Sequence, residues 1–182
     1  MRPTLIRIRI ALTLAATLVA LASPAAGQDW TAVWRDPEVV NYELTMERIR
    51  KLVAAQRDMT ALAAREPDVP AKIDAEMKAM AKNRTAPSTV AGAARMLDRH
   101  PSVRDIFAKN GLTARDWLAM SGAMTTAAVD IMLEGRKPAS SPRSPAQKAN
   151  VALLKKNRAE WEKIQKEFAR LAAEAEASTA KR

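Results

Sequence analysis

The chain has one histidine, His100, and no cysteine. Nucleophilic triads, zinc sites and thiol chemistry require one or the other in larger number, so they are excluded at the outset. Carboxylates remain. Two acids can cleave a glycoside, and Asp116 and Asp130 share a polar strip of one predicted helix, but solvation of that strip accounts for them equally well. His100 precedes Pro101 at a helix boundary, where a capping or solvent-exposed imidazole is expected. A His–Met haem pair needs a histidine inside a long bundle helix, and His100 is not in one. Met77 with Met80, and Met120 with Met124, could offer soft donors to Cu(I). Methionines at that spacing also serve as core filler. The expectation is therefore no catalytic residue, no metal and no cofactor.

The elements that must position these residues are helical. Pro37, Pro67, Pro70, Pro87, Pro101, Pro138, Pro142 and Pro145 divide the chain, and between them apolar residues recur at helical period, with Ala, Met, Lys, Arg and Glu abundant. The fold class is all-α: a single bundle of about five to six helices. A hydrophobic content of 48% with 27% charged residues excludes a disordered tail protein.

The first main helix is predicted over 46–64, with Thr45 as N-cap and an apolar face of Ile49, Leu52, Val53, Met59 and Ala63. A second starts at Pro70 and aligns Ile73, Met77 and Met80, and shorter helices follow over 89–99 and 102–109. Asn110-Gly111 reads as a left-handed C-cap. Thr113-Ala114-Arg115-Asp116 then reads as a capping box, with Leu112 and Trp117 as its hydrophobic staple. The helix that starts there, about 113–134, is apolar around most of its circumference: Trp117, Met120, Met124, Ala128, Ile131 and Met132 form one stripe, and Leu118, Val129 and Leu133 a second beside Gly122. Such a helix must be covered on several sides, so it is the predicted centre of the bundle, with Gly122 admitting a close neighbour. A stiff polar linker, 137–145, precedes a long C-terminal helix over 147–177. Asn157 sits within the apolar stripe of that helix, where a polar residue can specify register or equally reach solvent near the helix start.

The first 27 residues are basic and acid-free at their start, apolar from Ile10 to Ala22, and end in Ala25-Ala26-Gly27. This is the pattern of a secretory signal cut before Gln28, and the apolar run is too short to serve as a membrane span of roughly 20 residues. The expected product is one exported domain, 28–182, periplasmic or secreted, with no stable membrane span.

Charge is distributed unevenly. Residues 28–135 hold 15 bases and 15 acids, whereas residues 136–182 hold 12 bases and 5 acids. On the last helix Glu160, Glu167 and Glu174 form one ridge, and Lys155, Lys163, Lys166 and Arg170 another, with Arg158–Glu162 and Lys163–Glu167 as supporting pairs. A basic stripe on an exported protein attracts anionic lipid headgroups, lipopolysaccharide, acidic polysaccharide or nucleic acid. A solvated helix face is the plain alternative, because glutamates are interleaved. No nucleic-acid motif is present, so no nucleic-acid partner is expected. Trp30, Val33 and Trp34 cluster at i, i+3 and i+4, either as an exposed aromatic hook or as a cap on the bundle. The candidate interaction surface is Lys155, Lys163, Lys166 and Arg170, with Trp30 and Trp34. Its partner would be a protein or an anionic envelope component.

Three stretches, Leu44-Thr45-Met46-Glu47-Arg48, Gly111-Leu112-Thr113-Ala114-Arg115-Asp116-Trp117 and Asn150-Val151-Ala152-Leu153-Leu154, resemble a group of exported, all-helical bacterial proteins of unassigned function. In that group a GLTxR-acid-aromatic turn precedes a long apolar helix and an Asn-Val-Ala motif opens the last one. The resemblance implies location and fold, not activity. A looser similarity is to periplasmic stress adaptors and chaperones with two LTxxQ motifs. The LT pairs here, Leu44-Thr45 and Leu112-Thr113, are followed by Arg48 and Asp116 where those proteins carry Gln. These readings converge on an exported, non-enzymatic helical binding protein, with a chaperone-like adaptor as the alternative.

Overall fold

The computed structural model describes residues 31–83, 85–134 and 143–180. The signal-like segment, Trp30 and most of the 137–145 linker lie outside the described residues. Among the described residues every element is helical: α1 (Thr31–Trp34), α2 (Pro37–Val40), α3 (Met46–Arg65), α4 (Asp68–Lys82), α5 (Val90–Leu97), α6 (Pro101–Lys109), α7 (Ala114–Met132), α8 (Pro145–Lys156) and α9 (Arg158–Ala180). The all-α class holds, but the expectation of five to six helices undercounts. Two elements are single turns, and the long C-terminal helix is two.

The division falls at Asn157. Its backbone leaves helical geometry (φ −105°, ψ 35°), and its Nδ2 donates to the Leu153 carbonyl at 2.9 Å, competing with the backbone for the same acceptor. The Asn157 and Trp161 amides still donate to carbonyls four residues back, at 3.1 and 2.9 Å. Asn157 therefore bends the chain without uncoupling its two halves, which corrects its expected place inside a continuous stripe.

Helix starts follow their caps. The Oγ1 atoms of Thr45, Thr89 and Thr113 accept from the amides of Arg48, Gly92 and Asp116 at 3.2, 3.1 and 3.0 Å. Thr113 and Asp116 complete a capping box, as do Ser144 and Gln147 at the start of α8. Helix α6 ends at Gly111, whose φ of 65° closes the turn as Leu112 N donates to Phe107 O at 2.9 Å.

Helix α7 is the centre. Nearly every residue from Ala114 to Ala128 is buried, and α1, α2, α3, α5, α6 and α8 all pack on it. Met120 and Met124 are sealed in this core, and Trp117 stacks at a tilt of 34° on Phe107, with ring centres 5.5 Å apart. Burial fades toward its C-terminal end. Ile131 and Met132 are half-buried and Leu133 is 41% exposed, so the second stripe does not run the full helix. Gly122 gives the close approach its sequence suggests: a Cβ there would lie 2.7 Å from Val39 Cγ1, and Trp34 Cδ1 would be 3.5 Å away. Helix α4 is peripheral, with only Ile73 and Met77 fully buried.

Buried polar side chains tie these layers together. Asp36 caps α2 through the Glu38 amide (2.8 Å) and reaches across to the Val90 amide at the start of α5 (2.9 Å). Asn150, only 2% exposed, accepts from Leu44 N and donates to Tyr42 O, each at 2.8 Å. It thereby clamps α8 to the extended turn that leads into α3.

Candidate functional site

The last helix docks on the same chain. Arg50 donates to both carboxylate oxygens of Glu160, at 2.7 and 3.2 Å, and Arg57 meets Glu167 at 3.1 Å. Both pairs are 110 residues apart, and both partners advance by seven in the same direction, so α3 and α9 run parallel in fixed register. The Ser144 Oγ bond to Val40 O (2.6 Å) and the Asn150 clamp continue that register through α8. The core side of α9 is Trp161, Ile164, Phe168, Leu171 and Ala172, all buried.

This docking sorts the charges. The Glu ridge lies on the flank toward α3: Arg50 beside Glu160 holds its carboxyl below the ordinary range, and Arg170, with help from Arg57, does the same for Glu167. Arg170 also reaches Glu174. At 100° per residue Lys163, Lys166 and Arg170 stand opposite the buried stripe, and all three are exposed. Arg158 pairs with Glu162 at 2.9 Å as expected, but the expected Lys163–Glu167 pair does not form, because Glu167 is shared by Arg57 and Arg170. Lys163 and Lys166 consequently form no close ion pair among the described residues, though Lys163 still acts on Glu160 at a distance, and exposed Lys156 forms none either. Lys155 is paired with Glu134 at the end of α7.

Trp34 is half-buried against Gly122 and Val39, at the layer where α1 and α2 meet α7. The basic residues and Trp34 thus occupy different parts of the molecule. Asp116 and Asp130 are separated by 14 residues of one helix, about 21 Å along its axis, too far for two carboxylates to share a substrate atom. Asp116 caps α7, and Asp130 is paired with Arg143 at 2.8 Å. His100 takes the N-cap position of α6 but its imidazole makes no capping bond, and it is not solvent-exposed. Its side chain is 12% exposed, with Nε2 3.6 Å from Glu76, itself paired with Arg99. Among the described residues no three His, Cys, Asp or Glu side chains are grouped to hold a metal ion, and no helix is long and apolar enough to cross a membrane.

A second feature was not anticipated from the sequence. A cleft of about 370 Å³ opens where α2, the 41–45 turn and the first turns of α3 and α7 meet. Glu38 and Arg115 form a two-point pair on one wall, and the Arg48 guanidinium stands 5.3 Å from the ring centre of Tyr42. Burial raises the Tyr42 hydroxyl pKa against the pull of Arg48, with Asp116 adding to the rise. Arg50 and Arg57 were also missed, although their seven-residue spacing matches that of Glu160 and Glu167. The cleft leaves no such trace, since its residues come from three segments with no common period.

No protein-family model matches the chain, and neither a curated protein nor a solved structure matches it.

Proposed function

We propose that the protein is an exported binding protein that performs no chemistry of its own and engages a polyanionic component of the cell envelope through the outer face of α8 and α9. The observation that carries this reading is the sorting of charge on α9. Glu160 and Glu167, which would otherwise dilute a basic field, are drawn aside by Arg50 and Arg57. Lys163 and Lys166 are left on the crest, with Arg170 between them and exposed Lys156 toward the bend. An exposed lysine near an anionic lipid surface contributes about 1 kcal/mol to binding. Reversing two of them should therefore weaken association by roughly 30-fold or more.

The test is sedimentation with vesicles of anionic phospholipid, using the Lys163→Glu/Lys166→Glu protein against wild type and neutral vesicles as control. Loss of binding with an unchanged melting curve is the expected outcome. Equal binding by both proteins, or no preference for anionic vesicles, would remove the basis of this assignment. Deleting the C-terminal segment would be a poor substitute, because Leu154, Trp161, Ile164 and Phe168 belong to the core. The chaperone-like alternative draws nothing further from the LT pairs, whose threonines cap α3 and α7.

A further inference from the structure

We propose that the cleft between α2, α3 and α7 binds a small zwitterion of the amino-acid class, with the ligand carboxylate on Arg48 and its ammonium on Glu43 and Asp116. The inference is independent of the basic face of α9 and rests on which charges in the cleft are already satisfied. Glu38 and Arg115 neutralise each other in a two-point pair and form a fixed wall. Arg48 forms no close ion pair among the described residues: it meets the Tyr42 ring and hydroxyl, makes a long bond of 3.4 Å to the Glu43 carbonyl, and feels the Glu47 charge only at a distance. The Glu43 side chain has no cation partner among the described residues. Asp116 uses only Oδ2 in its capping box, which leaves Oδ1 available.

The cleft therefore presents one guanidinium and two carboxylates that are in no close ion pair among the described residues, drawn from different segments, with Asp116 already holding the Thr113 cap through Oδ2. A simple anion entering it would meet Arg48 but also Glu43 and Asp116, and a simple cation would meet both acids but also Arg48. Only a ligand carrying both charges a few bonds apart answers each group with its opposite, which is the condition for favourable electrostatic complementarity. Guanidinium takes a carboxylate in two-point geometry, and Arg48, exposed, would exchange its bond to the neutral Tyr42 hydroxyl for a charged acceptor. The Tyr42 ring and the buried Ala119 methyl supply an apolar floor for a short side chain. A volume of about 370 Å³ is at the small end of ligand sites, enough for a free amino acid and too little for a folded partner.

Tyr42 is the only tyrosine of the chain, so a single ring resonance reports on the site. Ring-labelled protein should be titrated by NMR with glycine, L-alanine and L-serine up to ~10 mM, and in parallel with acetate and with methylammonium. The expected result is a saturable Tyr42 shift with at least one amino acid, at least tenfold weaker response to acetate and to methylammonium, and at least tenfold loss of affinity in Arg48→Met. Glu43→Gln, at an exposed position, should weaken binding several-fold, and it carries the test if Arg48→Met fails to fold. No saturable shift with any amino acid would overturn the proposal. So would acetate matching the amino acids, which would make this an anion site, or methylammonium matching them, which would make it a cation site. Retention of full affinity by both variants would overturn it as well.

Discussion

Replacing Gly122 by alanine tests the central packing of the molecule, because two opposing effects have to be weighed against each other. In the interior of a helix, alanine is favoured over glycine by about 1 kcal/mol. Against this, the new methyl would stand 2.7 Å from Val39 Cγ1 and 3.2 Å from Val39 Cγ2. Rotating Val39 gives no relief: both γ-methyls face Gly122, and any staggered rotamer leaves one of them there. Nor can α2 back away cheaply, since Asp36 ties its first turn to the Val90 amide of α5. Overpacking of this kind costs about 1–3 kcal/mol. The steric effect should win, leaving Gly122→Ala less stable by about 1 kcal/mol. Urea denaturation at equilibrium is the assay, run as a cycle with Val39→Ala. Val39→Ala alone leaves a void, but the Gly122→Ala/Val39→Ala protein should be more stable than the sum of the two changes allows, by about 1 kcal/mol or more. A Gly122→Ala protein more stable than wild type, or strictly additive effects, would refute the claim that α2 is held against Gly122.

Three further outcomes follow from the buried and paired polar groups. Asn150→Ala should cost about 2–4 kcal/mol in the same denaturation assay, because it strands the Leu44 amide and the Tyr42 carbonyl together. Arg50→Ala and Arg57→Ala should each cost less than about 1 kcal/mol, since both arginines are more than half exposed and their pairs are open to solvent. Asp58, Glu160 and Glu167 have pKa values lowered in the fold, Asp58 chiefly by the Asn110 hydrogen bond and the two glutamates chiefly by arginine. Their stabilisation is complete above the unfolded values, 4.5 for Glu and 3.8 for Asp, and is lost as pH falls through the lower folded values. Stability measured across that acid range should drop less steeply in Glu160→Gln/Glu167→Gln than in wild type.

The sequence reveals most where its information is local. Thr45, Thr89 and Thr113 mark helix starts because a capping hydroxyl and its amide are three residues apart, and Gly111 marks a helix end because few other residues tolerate its φ. The apolar circumference of α7 likewise gives away its central place before any contact is known. Asn157 is harder to read, since its effect depends on a side chain choosing the Leu153 carbonyl over solvent or a neighbouring helix. Asn150 is invisible as a structural residue because its partner lies 106 positions away, and of the two roles of Asp36 only the local cap on Glu38 leaves a trace, its bond to Val90 being 54 positions away. The basic ridge of the last helix is legible, but not its separation from the acidic one, which depends on Arg50 and Arg57 of a distant helix. His100 and Trp34 are ambiguous for the same reason: whether a half-polar ring is covered is decided by elements outside its own.

The parallel register of α3 and α9 bears on how the chain reaches its fold. Partners 110 positions apart cannot meet until most of the polypeptide has been synthesised, and closing so long a loop slows the search for native contacts. Until α9 arrives, the side of α3 on which it packs lacks cover, so the nascent protein is open to proteases and to aggregation. Completion of the core therefore waits on the last helix, so folding is paced by the meeting of α3 with α9 and not by the capped turns that form locally.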